Sequence, residues 1–135
     1  MNQHTRASRL EESTPLDPTR REENPHLFDL AGHIAKSVVG AYLTGIPHLD
    51  VAYFPERATE PEVDFVLTIG ERRIPMEVKY RRRIDMYGDT LGLRSLLEKA
   101  HYNAPFGVLM TMLEDVAVPD PRIVPVSLRS LLLMR

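Results

Sequence analysis

The chain has 135 residues, enough for one hydrophobic core once a polar N-terminus is set aside. Its 43% hydrophobic and 27% charged residues are ordinary for a soluble globular domain, and a formal net charge of −2 gives no overall bias toward nucleic acid. With no cysteine it can form no disulfide, zinc–thiolate site or thiol nucleophile, and no apolar run nears the ~18 residues of a membrane span.

Residues 1–24 are polar, contain Pro15 and Pro18 and show no periodicity; they read as a disordered segment or a linker. A single domain is expected over 25–135. Asn24 followed by Pro25 is a helix start, and Leu27, Leu30, Ile34, Val38, Ala41 and Tyr42 recur at helical spacing, which predicts an amphipathic helix over 26–43 ended by Gly45 and Pro47. Val51–Phe54 reads as a short strand. A hairpin over 62–69 and 73–80 follows, turning at Gly70-Glu71, with glycine at the first central position as a two-residue II′ turn requires. Pro75 is awkward inside the second strand, because it gives the ladder no donor, and belongs at a non-bonded position or a bulge. A second helix is expected over 90–102 with Leu91, Leu96, Leu97 and Ala100 inward. Phe106–Met112 reads as the most buried strand, Ile123–Val126 as a short edge strand, and 128–134 as a final helix capped by Ser127. Helix, three strands, helix, two strands and helix make an α/β domain with a mixed sheet flanked by helices.

Centring the hairpin on Gly70-Glu71 sets Val63 opposite Val78, Phe65 opposite Met76 and Leu67 opposite Ile74, so the apolar residues share one face. The same register sets Asp64 opposite Glu77. Like charges so placed repel at a cost of a few tenths to ~1 kcal/mol. A divalent cation between them would turn that repulsion into coordination, and Lys79 on the same face would sit beside it. An acid on one strand and Glu-x-Lys on the next form the constellation of a metal-dependent phosphodiesterase; the alternative is a solvated strand face on which Glu62, Glu77 and Lys79 trade surface ion pairs worth little. Six basic residues (Arg72, Arg73, Lys79, Arg81, Arg82 and Arg83) crowd this region among the carboxylates Glu71, Glu77 and Asp85. Arg81, Arg82 and Arg83 could contact phosphates beside such a site, or simply form a charged strand exit. Tyr80 reads as a core-face residue and Met76, Met110 and Met112 as core fillers. His26, His48 and His101 show no metal-ligand spacing.

Glu62-Val63-Asp64-Phe65-Val66 followed by Met76-Glu77-Val78-Lys79-Tyr80 resembles the PD-(D/E)XK nuclease-like domain at the C-terminus of many bacterial and archaeal AAA-type ATPases, a domain whose function is unknown in most proteins that carry it. Gly32, Val39 and Leu43 are similar to its first helix, which reads roughly Gly-x-x-x-Glu-x-x-Val-x-x-x-Leu, and Arg122–Val126 with Leu131–Leu133 resembles its last strand and helix; the likeness covers about residues 27–133. The resemblance implies a restriction-endonuclease-like fold and a site in which Asp64, Glu77 and the Val78 carbonyl hold Mg²⁺ or Mn²⁺ while Lys79 orients water or stabilises the phosphorane charge. Lys36 departs from the pattern, standing where the family helix carries its third acid. Asp29 is on the same helix face but about 10.5 Å along the axis, and His33 is one turn away. The family's ATPase module has no counterpart here, since the P-loop pattern Gly-x-x-x-x-Gly-Lys-Ser/Thr is missing from the sequence; a piece of a larger ATPase and a free-standing descendant are both consistent.

Two functions are therefore expected. One is a divalent-metal nuclease-like domain acting on DNA, degenerate at Lys36. The other is a catalytically inactive binding or regulatory module of an AAA-type ATPase. A dimerisation module using the apolar Leu131–Met134 tail is a third. No signal-peptide pattern is present, so a cytoplasmic location without membrane attachment is the expectation.

Overall fold

The computed structural model describes residues 25–54 and 60–134. The segment 1–24, expected to be disordered or a linker, and the side chain of His26 lie outside the described residues. The elements run α1 (Pro25–Thr44), β1 (Asp50–Phe54), β2 (Val63–Ile69), β3 (Arg72–Lys79), α2 (Leu91–Leu97), a 3-10 turn (Ala100–Tyr102), β4 (Gly107–Thr111), β5 (Ile123–Ser127) and α3 (Leu128–Leu133). The five strands form one sheet in the order β1-β2-β3-β4-β5. The first three are antiparallel, and β3, β4 and β5 are parallel. The protein is thus an α/β domain with a mixed sheet flanked by helices, as expected. Among the described residues no helix is long and apolar enough to cross a membrane.

The hairpin folds in the expected register, with Phe65 opposite Met76, Leu67 opposite Ile74 and Ile69 opposite Arg72. Gly70 has φ +62° and Glu71 is not among the positive-φ residues, as a II′ turn demands. Half-burial does not hold. The sheet is covered on both faces: α1 and α3 pack with Leu67, Met76, Val78 and Met110 on one side, and α2 packs with Val63, Val66, Leu109 and Ile123 on the other. Val63 therefore does not share the face of Val78. The physical reason is a bulge: Ala52 pairs with Val66 and Phe54 with Val63, so two steps along β1 span three along β2. The extra residue falls at Asp64 and Phe65 and turns Val63 toward α2.

Helix α1 also faces the sheet differently. Ala35, Val39 and Leu43 are its buried stripe, whereas Leu27, Leu30 and Ile34 are exposed and Ala41 faces solvent. Small residues let the helix approach closely; a Cβ on Gly40 would stand 3.3 Å from the Phe65 ring. Helix α2 stops at Leu97 rather than at 102. Lys99 is extended (φ −90°, ψ 109°) and Asn103 is left-handed (φ 49°). This break buries Tyr102 edge-on against Phe54, 5.6 Å between ring centroids, and lets the Asn103 amide donate to the Glu71 carbonyl at 3.1 Å. The inward residues of α2 are Leu93 and Leu96; Leu91 is exposed, and Leu97 only packs at the edge of the cluster. Met76 and Met110 fill the core as expected, and Tyr80 packs at its margin. Pro75 is fully buried in β3, opposite Val66 and beside Gly107, just before the β3–β4 ladder begins at Met76 and Val108. Ser127 caps α3, its hydroxyl accepting from the Ser130 amide. Leu131 is buried, while Leu132, Leu133 and Met134 are exposed.

Candidate functional site

The β2–β3 ladder has its last backbone pair at Phe65 and Met76. Beyond it the seam between the strands is closed by two carboxylates. The Val78 amide donates to Asp64 Oδ2 at 2.8 Å, and the Asp64 amide donates to Glu77 Oε2 at 3.3 Å. Both side chains are buried: Asp64 is 2% exposed and Glu77 7%. Each remaining oxygen takes a lysine. Lys36 Nζ on α1 lies 3.0 Å from Asp64 Oδ1, and Lys79 Nζ lies 3.0 Å from Glu77 Oε1. Two acids and two ammonium groups form a quartet with no net charge, in which every carboxylate oxygen has a donor.

The electrostatics follow from burial. Desolvation raises the Glu77 carboxyl above its ordinary range, the Asp64 charge raises it further, and Lys79 only partly offsets this. Burial alone would depress the Lys36 ammonium, but its hydrogen bond to Asp64 and the charges of Asp64, Glu77 and Glu62 outweigh that and raise it. Because the folded Glu77 carboxyl binds its proton more tightly than the unfolded one, its neutral form favours folding. That contribution is complete below its ordinary 4.5 and is lost as pH rises through the raised folded value. Glu77→Gln, which mimics the neutral acid, is expected to gain stability relative to the parent as pH rises from 4.5, as urea unfolding at a series of pH values would show. A flat difference would place Glu77 in a solvated setting.

Asp64, Glu77 and Lys79 thus meet as the sequence predicted, and Lys36 joins them. The Val78 amide is committed to Asp64. Beside the quartet opens a cleft of about 240 Å³ lined by Asp29, His33, Lys36, Val78, Lys79 and Arg81, among others. Arg81 reaches Asp89 at 2.7 Å, and Arg82 and Arg83 stand exposed just past β3. His48 and His101 are exposed and His101 leans on Tyr102, its ring centroid 4.1 Å from the tyrosine's. One residue near the site, Tyr53, was not singled out from the sequence. The Tyr53 hydroxyl donates to Glu62 Oε1 at 2.9 Å, an interaction that raises its pKa, and the Glu62 charge reaches Lys36. The ion-pairing expected of Glu62 is met by the Tyr53 hydroxyl and the Lys36 charge, and Tyr53 itself could not be found from the sequence, since the β1–β2 register is set by the bulge.

Each carboxylate oxygen that a cation bridging Asp64 and Glu77 would use takes one donor here, the Lys36 ammonium sitting on Asp64 Oδ1. What the arrangement does offer is a mixed α/β domain with an acid–lysine quartet beside a cleft lined by charges of both signs. Comparison with family models, with curated proteins and with solved structures finds no match to this chain.

Proposed function

We propose that this domain is a PD-(D/E)XK nuclease-like module that binds DNA phosphodiesters without cutting them, the place of the catalytic cation being taken by the Lys36 ammonium. The observation that carries this reading is the 3.0 Å contact between Lys36 Nζ and Asp64 Oδ1. An ammonium there neutralises the repelling acids as a divalent ion would, but it polarises no phosphate and activates no water. The cleft keeps Lys36, Lys79 and Arg81 on its wall, and Arg82 and Arg83 extend that basic edge. Phosphates are held by such cations through counterion release, so affinity should fall steeply with salt. A binding module of this kind suits a regulatory role beside an AAA-type ATPase.

A second reading is a metal-dependent nuclease acting on DNA through Asp64, Glu77 and Lys79 with Mg²⁺ or Mn²⁺. It is favoured by the Lys36 side chain being 37% exposed, which gives the ammonium solvent to swing into. Calorimetric titration with Mn²⁺ separates the two. The parent is expected to give no binding heat at millimolar metal, and Lys36→Glu to gain binding and a metal-dependent rise in melting temperature that Asp64→Ala abolishes. Binding by the parent, lost in Asp64→Ala and Glu77→Ala, would establish the nuclease reading instead.

A further inference from the structure

The segment that leaves β3 is tightly braced around an exposed ring. Arg81 closes the loop onto Asp89 at 2.7 Å, and Asp89 Oδ2 accepts the Asp85 amide at 2.9 Å. Asp85 Oδ1 accepts the Tyr87 amide at 3.0 Å, and the Thr90 hydroxyl donates to the Met86 carbonyl at 2.6 Å. Tyr87, at the tip, is 74% exposed, the most exposed large hydrophobic side chain among the described residues. Arg94 of α2 holds it from one side, its guanidinium carbon 4.4 Å from the ring centroid. Arg94 is itself fixed, donating to the Tyr87 carbonyl at 2.7 Å and to the Thr90 hydroxyl at 3.2 Å.

A rigid loop that presents an aromatic ring to solvent forgoes the burial such a ring ordinarily gains. The ring's surroundings indicate what would cover it. Arg81 belongs both to this loop and to the cleft wall, and the exposed Arg82 and Arg83 follow it in the chain on the way to Tyr87. The guanidinium covers one face of the ring, and the residue's exposure leaves the other to solvent. A π-face backed by a cation and flanked by phosphate-binding side chains is the stacking platform that single-stranded nucleic acids use. Since the loop is already ordered, stacking would incur little conformational entropy.

We propose that Tyr87, braced by Arg94, is a stacking site for an unpaired nucleobase of a strand whose phosphates lie along Arg81, Arg82 and Arg83. This rests on the DNA-binding reading and narrows its ligand to single-stranded segments. The test is fluorescence anisotropy of the full chain with an end-labelled oligothymidylate and with an abasic phosphodiester oligomer of equal length. The parent should bind the oligothymidylate more tightly. Tyr87→Ala should weaken oligothymidylate binding by about 5- to 150-fold, to the abasic level, and leave the abasic oligomer unaffected. Tyr87→Phe, which keeps the ring, should bind as the parent does. If the parent binds both oligomers and Tyr87→Ala leaves both affinities unchanged, the stacking site is refuted and DNA binding stands. If the parent binds neither, both fail together.

Discussion

Asp64→Ala is expected to lower the unfolding free energy by about 3 kcal/mol, the lower end of the ~3–5 kcal/mol for breaking a buried ion pair, because Lys36 is partly exposed and can recover water. The loss has two sources. The Val78 amide is left without its acceptor in a buried seam, which alone costs about 1–3 kcal/mol, and Lys36 loses its nearest counter-charge. One gain opposes them: Glu77 is relieved of the charge beside it, so its carboxyl falls back toward its ordinary range, though burial still holds it above. Asp64→Asn keeps an oxygen for the Val78 amide and should cost less. Urea unfolding of the three proteins is the measurement. An alanine variant within ~0.5 kcal/mol of the parent, the range of ordinary surface substitutions, would show that the quartet is not structural.

Gly92→Ala should go the opposite way from the usual helix rule. In an ordinary helix interior the change gains roughly 1 kcal/mol. Here an added Cβ would stand far inside contact distance of the Glu62 carbonyl oxygen, with the Val63 side chain at 3.5 Å behind it. The clash is with backbone, so the short α2 or the start of β2 must move. A loss of about 2–3 kcal/mol is expected, toward the upper end of what overpacking costs. Because Glu62 immediately precedes β2 and Asp64 lies on it, a shift of the strand start would also disturb the Lys36–Asp64 contact. Denaturant unfolding reads the first effect. A stabilised variant would mean that α2 packs more loosely than the geometry shows.

Much of the candidate site was legible before the fold was known, for local reasons. A glycine at the turn and the pairing of Phe65, Leu67, Ile74 and Met76 fix a hairpin register, and extending that register set Asp64 against Glu77. Capping at Ser127 was equally local. What could not be read depended on contacts between distant segments. The bulge at Asp64 and Phe65 exists only relative to β1. The covering of both sheet faces depends on where α2 crosses. Helix α1 turns Ala35, Val39 and Leu43 inward and leaves Leu27, Leu30 and Ile34 exposed, a choice made by how it docks on the sheet. The early end of α2 reflects Tyr102 and Asn103 anchoring to β1 and the hairpin turn, which no periodicity reports. Lys36 was singled out only through the resemblance of its helix to a family pattern, and its hold on Asp64 required the helix to be docked.

The order in which the four charged groups come together has its own consequence. Asp64 and Glu77 are 13 residues apart and are joined by closing a two-residue turn, an event of microseconds in an isolated hairpin. Lys36 arrives only when α1 docks across the sheet. Until then the nascent hairpin carries two acids side by side with Lys79 as their nearby cation. The first helix is therefore the second neutralising partner of the hairpin's acids, and a chain shortened by that helix would keep both acids with Lys79 alone to offset them.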